Sequence, residues 1–90
     1  MPKVKIPTPL RKLTQNQSEV DADGSTIRDI VDSLEKQFPG FKERMCDEKG
    51  DLRRFVNVYV GEEDIRFMDG LDTKIPDGES VSIIPAVAGG

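Results

Sequence analysis

The sequence predicts an α+β fold in which a mixed β-sheet packs against one main helix in two layers. Two patterns and the chain length support this class. Short segments of alternating apolar and polar residues, typical of half-buried strands, flank one longer segment with helical periodicity. A chain of 90 residues has room for one core of two packed layers, so we expect a single domain over residues 1–90.

Two strands are predicted before the helix. Val4 and Ile6 alternate with lysines, which is typical of a half-buried strand, and Pro7 is expected to end that strand. A second short strand is predicted over residues 18–22, just before an Asp-Gly turn.

The main helix is predicted from about Thr26 to Phe38. Its N-cap is Ser25 or Thr26, and Pro39-Gly40 is expected to stop it. The apolar residues that fall on one face of this helix are Ile27, Ile30, Val31, Leu34 and Phe38. The segment 41–46 is expected to add a turn of helix.

Two further strands are predicted in the second half of the chain. The segment RFVNVYV places valines on one face and Phe55, Asn57 and Tyr59 on the other. Both faces are therefore expected to be partly covered, as in a strand with a central position in the sheet. Ile65 and Phe67 are predicted to belong to another short strand that follows a glycine turn.

The last strand is predicted over residues 80–84, after a Pro-Asp-Gly turn. Val81 and Ile83 are expected to face one way, and Ser82 and Ile84 the other. The full order is strand, strand, helix, strand, short strand, strand. With one helix covering the sheet, this order predicts a β-grasp (ubiquitin-like) fold.

Composition excludes several classes of function. The net charge of −4 disfavours a nucleic-acid partner, and the lack of a long apolar run disfavours a signal peptide or membrane span, so we expect a cytoplasmic protein. With no histidine and one cysteine, we expect no metal site. The segment Asp21–Asp32 resembles a calcium loop only superficially, because Thr26 and Asp32 stand where an EF-hand needs glycine and glutamate.

Three smaller features have ordinary interpretations. Cys46 is predicted to be a packing residue rather than a reactive thiol. The charged runs Arg53-Arg54 and Glu62–Asp64 are predicted to be solvated loop ends rather than sites for charged partners.

The chain ends on a tail of small, uncharged residues, 86–90, which follows Pro85. The six residues from Pro85 to Gly90 reach at most ~20 Å when extended. Glycine has no Cβ, so a partner channel can close tightly around it. The tail is therefore expected to present its terminal carboxylate as a substrate for another protein.

The whole chain resembles the ubiquitin-like sulfur carriers of the MoaD and ThiS type. The segments that carry the resemblance are RFVNVYVGEEDIRF, the amphipathic helix and, most specifically, IPDGESVSIIPAVAGG. The resemblance implies that a ubiquitin-activating-like adenylyltransferase uses ATP to adenylate Gly90, and that a sulfur donor replaces AMP to give a thiocarboxylate. Gly89, Ala88 and Val87 would form the tail fitted into the enzyme channel. The carrier is implied to be a co-substrate rather than an enzyme and to bind no cofactor.

The resemblance leaves several recipients of the sulfur open. The resemblance favours a cysteine synthase-like enzyme as the first choice. In that pathway a metalloprotease later frees the cysteine. The large subunit of molybdopterin synthase comes second, because its small subunits share the tail but usually have a bulkier aromatic pair where this chain has Ile83-Ile84. Thiamin carriers come third, because they usually lack a segment comparable to residues 41–54.

Two other classes of function also stay open. A ubiquitin-like modifier, conjugated to lysines of target proteins, needs the same adenylation and the same tail. A plain binding module needs no free C-terminus.

Docking to partner enzymes requires a surface beside the tail. Ile84 is predicted to point outward and, with Ile65 and Val87, to form a small hydrophobic patch. The alternative is that another part of this chain covers Ile84.

Overall fold

The computed structural model describes residues 1–85, and this part of the chain folds as a sheet packed against helices. Its strands are β1 (Lys3–Lys5), β2 (Glu19–Asp21), β3 (Val56–Val60), β4 (Glu63–Asp64) and β5 (Val81–Pro85). Its α-helices are α1 (Ile27–Gln37) and α2 (Phe41–Met45). Short 3₁₀ turns cover Thr8–Thr14, Ile65–Phe67 and Gly70–Asp72.

The sheet is mixed, with the strand order β2-β1-β5-β3-β4. The first and last strands of the described chain lie side by side and run parallel, whereas the other neighbours are antiparallel. This arrangement confirms the predicted β-grasp fold. The strand β3 has a partner on each side, as its two half-covered faces predict, but the middle strand is β5.

The helix α1 begins and ends where the sequence predicts. Thr26 is its N-cap, and the Thr26 hydroxyl accepts a hydrogen bond of 3.2 Å from the backbone N–H of Asp29. Its buried residues are Ile27, Ile30, Val31 and Leu34. The predicted apolar face is therefore the face that meets the core, and Phe38 packs at its edge.

The core lies between α1, α2 and the inner face of the sheet. Strand residues such as Val4, Val58 and Val81 are buried there, as are Phe41 and Met45 of α2. Cys46, which follows α2, is also buried, so the prediction that it is a packing residue is confirmed.

The predicted strand through Ile65 and Phe67 is wrong. The short strand β4 ends at Asp64, and the chain then enters the 3₁₀ turn Ile65–Phe67. The cause is local, because the Asp64 carboxylate accepts a hydrogen bond of 2.9 Å from the backbone N–H of Arg66. That bond closes a turn and ends the strand.

No helix within residues 1–85 is long and apolar enough to cross a bilayer. The same residues contain no group of three or more His, Cys, Asp or Glu side chains placed to hold a metal ion.

Candidate functional site

The strand β5 fixes the point from which the tail begins. It pairs with β3 over five consecutive residues, from Val81 opposite Val60 to Pro85 opposite Val56. On its other side β1 pairs with its first two residues. Because Val81 and Ile83 are also buried in the core, the main chain is held in place as far as Pro85.

The turn before β5 is the predicted Pro-Asp-Gly turn. The backbone N–H of Glu79 donates a hydrogen bond of 3.1 Å to the carbonyl of Pro76, which closes four residues into a tight turn. The neighbouring turn after β3 uses Gly61, whose φ of 62° lies in the left-handed region. Its backbone N–H donates to the carbonyl of Ser80, so the two turns brace each other at the end of the sheet opposite Pro85.

The tail residues predicted to carry the chemistry lie outside the described residues. They are Val87, Ala88, Gly89 and Gly90. Their predicted roles remain predictions. What the structure contributes is their starting point, at the rim of the sheet after its middle strand.

Ile84 lies on the outer face of the sheet, opposite Asn57 of β3. Its side chain is turned away from the core, and the residue is 49% exposed. The predicted outward orientation is therefore observed. Residues 1–85 cover only about half of Ile84, so the rest of its surface is accessible beside the start of the tail.

Ile65 does not belong to this surface. It was expected beside Ile84, but it is fully buried, at 0% exposure. A strand would place Ile65 and Phe67 on the same face, whereas a 3₁₀ turn, with three residues per turn, separates them. Ile65 therefore enters the core and Phe67 points outward, at 89% exposure.

The outer face gains two residues that the sequence analysis missed. The Arg66 guanidinium donates to Oδ1 of Asn57 at 2.5 Å and to the carbonyl of Arg53 at 2.8 Å. These bonds bring the 3₁₀ turn, and Phe67 with it, to the end of β3 that pairs with Pro85. A sequence signal existed, because an aspartate two residues before Arg66 favours a turn rather than a strand.

We call the set Asn57, Ile84 and Arg66, together with the exposed Phe67 that follows Arg66 in the chain, the outer-face patch. It combines an exposed aliphatic residue, an exposed aromatic ring and a guanidinium that the protein holds in place. Such a combination is typical of residues that dominate protein–protein interfaces. The patch therefore suits docking, not the binding of a small substrate.

Cys46 is not a candidate for sulfur chemistry. It is only 4% exposed, and desolvation by burial raises the pKa of its thiol. Little of the thiol is therefore ionised at neutral pH, and the thiolate is the reactive form.

The chain is similar in sequence to a known protein family and to several characterised proteins. The family model described as the ThiS family matches residues 4–90. The sulfur carrier protein CysO of Mycobacterium tuberculosis is 51% identical over 89 residues, which cover 97% of this chain and 96% of CysO. Over nearly its whole length, the chain is a close homologue of a sulfur carrier.

Solved structures agree with that relationship. A chain in the crystal structure of the Amycolatopsis orientalis BexX/CysO complex is 44% identical, with a TM-score of 0.93 and full coverage of both chains. The solution structure of small archaeal modifier protein 1 from Methanosarcina acetivorans is 30% identical, with a TM-score of 0.81, covering 98% of this chain and 94% of that one. With its fold, its tail and these relatives, this chain belongs to the ThiS family.

Proposed function

We propose that this chain is a sulfur carrier whose Gly90 carboxylate is activated by adenylation and converted to a thiocarboxylate. The 51% identity to CysO is the observation that carries the proposal. The position of Pro85 supports it, because residues 86–90 continue from the rim of the sheet and reach at most ~17 Å from it. That length is enough for a partner to engage Gly90 away from the bulk of the fold.

The chemistry explains why activation comes first. A carboxylate is a poor electrophile, since it is anionic and would have to expel oxide. Attack of the carboxylate on the α-phosphorus of ATP releases pyrophosphate and leaves an acyl adenylate. Hydrosulfide then attacks the acyl carbon, the bond to AMP breaks, and the product is a thiocarboxylate with no change of oxidation state.

The carrier supplies binding and delivery, and its partners supply the catalysis. ATP binds to the activating enzyme, so we propose no cofactor on the carrier itself. The glycines at the end of the tail allow a partner to enclose the reacting group closely and to exclude water from it. The outer-face patch is the surface we propose for docking.

We propose a cysteine synthase-like enzyme as the recipient of the sulfur. In that reaction the thiocarboxylate sulfur displaces the leaving group of an activated serine derivative such as O-phosphoserine. The resulting carrier–cysteine adduct is later hydrolysed by a metalloprotease. The similarity to CysO supports this recipient ahead of molybdopterin synthase.

A second candidate is a protein modifier, joined through Gly90 to lysines of other proteins. The similarity to small archaeal modifier protein 1 supports the modifier as a second candidate. The two functions share the adenylate and differ in the nucleophile that attacks it, which is sulfur for a carrier and a lysine amine for a modifier.

Reconstitution separates these functions. The purified chain is incubated with ATP, hydrosulfide and the activating enzyme of its host, followed by O-phosphoserine and the host cysteine synthase. The proposal expects AMP release that requires Gly90, followed by a carrier–cysteine adduct. AMP release without that adduct would contradict the cysteine recipient, and reductant-resistant adducts with lysines of host proteins would favour the modifier.

A further inference from the structure

A groove of about 600 Å³ opens at the end of the two-layer core where β5 ends. Its volume falls within the range of pockets that hold drug-sized molecules, so it has room for a few side chains. The apolar residues that line it are Pro9, Leu10, Phe55, Val56, Ile83 and Pro85. Ile84 is not among them, because it points to the opposite face of β5. The groove and the outer-face patch are therefore separate surfaces beside the same strand end.

The floor of the groove is the edge of the core, and an aromatic ring beside it stays partly in solvent. Val56 and Ile83 are each 3% exposed, and they form the edge of the core at this end. Phe55, next to Val56 in the chain, is 51% exposed. An aromatic ring half in water beside the core is a favourable contact for an apolar side chain of another protein.

The rim of the groove carries two arginines. Arg53 is held by the end of α2, since its Nε donates to the carbonyl of Glu43 and its backbone N–H donates to the carbonyl of Met45, both at 2.9 Å. Arg44 lies in the last turn of α2. Arg53, predicted to be a solvated loop end, is thus fixed at one place on the rim of the groove.

These two arginines have no anionic partner within residues 1–85. The ion pairs of this part of the chain use Lys3, Arg28 and Lys42. One carboxylate, that of Glu43, also lines the groove, so the rim is positive overall. This is unusual in a chain of net charge −4, and it makes the groove complementary to an acidic surface.

We propose that this groove docks an acidic segment of the activating enzyme. An apolar side chain of that segment packs on the floor, and a carboxylate pairs with Arg44 or Arg53. The inference rests on the proposed function: an enzyme that acts on Gly90 comes within ~17 Å of Pro85, and Pro85 lines the groove.

The charges explain why an acidic contact suits this enzyme in particular. A site that binds ATP and a carboxylate is positively charged, and it attracts a chain of net charge −4 in many orientations. A local contact of the opposite polarity favours the orientation that points the tail into the site, because there the acidic segment meets the two arginines.

The test compares two charge reversals in matched positions. Arg44→Glu reverses a rim charge in the last turn of α2, and Lys36→Glu makes the same change in the last turn of α1, away from the groove. Both substitutions change the net charge equally, and both residues are exposed. The readout is AMP release by the host activating enzyme with ATP and hydrosulfide, measured against carrier concentration.

We expect Arg44→Glu to raise the KM for the carrier roughly fivefold with kcat unchanged, whereas Lys36→Glu stays near the unsubstituted chain. Added salt is expected to reduce the difference in KM between the Arg44 and Lys36 variants, since salt screens exposed ion pairs. Phe55→Ser tests the floor, and we expect it to raise KM independently of salt. Thermal unfolding of each variant confirms that it is folded.

Several results would overturn the inference. Equal KM values for the Arg44 and Lys36 variants would do so, as would an effect on kcat alone. A dimer seen by sedimentation and abolished by Arg44→Glu would instead assign the groove to a second copy of the chain. Absence of AMP release from the unsubstituted chain is a different result, because it contradicts the proposed function itself.

Discussion

At the scale of single residues, two isoleucines determine which surface is available beside the tail. Ile84 lies in a regular strand, so alternation directs it outward. Ile65 follows a strand of two residues and lies in a 3₁₀ turn, which directs it into the core. The local conformation of the backbone, and not hydrophobicity, distinguishes a docking residue from a core residue here.

The first prediction contrasts Ile65→Ala with Phe67→Ala. Ile65 is fully buried, so its truncation removes packed atoms and leaves a cavity, which we expect to cost about 2–4 kcal/mol of the free energy of unfolding. Phe67 is 89% exposed, and we expect its truncation to change stability by less than about 0.5 kcal/mol. Urea denaturation measures both. Equal losses would contradict the assignment of the two side chains.

The second prediction concerns Ile84→Asp. The residue is half-exposed on the outer face, so we expect the variant to remain folded. A carboxylate in the outer-face patch opposes an apolar contact, and we expect affinity for the enzymes that act on the tail to fall roughly tenfold. Calorimetric titration with the purified activating enzyme and synthase measures this, with Ser82→Asp on the same face as the control. Unchanged affinity for both enzymes would remove Ile84 from the interface.

At the scale of elements, the junction between α1 and α2 depends on Glu35. Its carboxylate accepts hydrogen bonds from the backbone N–H groups of Lys42 at 2.9 Å and of Gly40 at 3.2 Å. The carboxylate thereby caps α2. The bond from Lys42 and, to a smaller extent, the bond from Gly40 lower the pKa of Glu35 below its ordinary value of 4.5. The last turn of one helix thus fixes the start of the next.

The third prediction is that Glu35→Gln destabilises the protein in a pH-dependent way. A lowered pKa means that the carboxylate stabilises the fold above its unfolded pKa, and that this contribution is lost as the pH falls through the lower folded value. We therefore expect the variant to have a lower urea midpoint at pH 7, and the difference to shrink below about pH 4.5.

Glu62→Gln is the control for that experiment, because this exposed residue accepts no side-chain hydrogen bond within residues 1–85. Its urea midpoint is expected to follow the unsubstituted chain at every pH. A Glu35→Gln difference that stays constant down to pH 3 would show that lost packing, not the carboxylate, is responsible.

At the scale of the whole molecule, local signals predicted most of the fold. The spacing of Ile27, Ile30 and Leu34 and the capping residue Thr26 located α1, and alternation located the main strands. The β-grasp fold followed from the order of these elements. Ile84 on the outer face followed from the same alternation.

The features that were not predicted depend on contacts between distant parts of the chain or on one local hydrogen bond. That β5 is the middle strand depends on the pairing of Val4 with Val81, and periodicity carries no information about such partners. The burial of Ile65 depends on the turn closed by Asp64. The groove combines Pro9, Arg44 and Pro85 from three separate segments, so only the folded chain reveals it.

Sulfur held at Gly90 changes the mass of the whole protein, so one mass spectrum tests the proposed function. The measurement is the intact mass of the protein isolated from its own host, with a Gly90 deletion as the control. We predict a form heavier by one oxygen-to-sulfur exchange that is absent from the deletion. Finding only the unmodified carboxylate, even after incubation with ATP, hydrosulfide and the host activating enzyme, would contradict a sulfur-carrying role for Gly90.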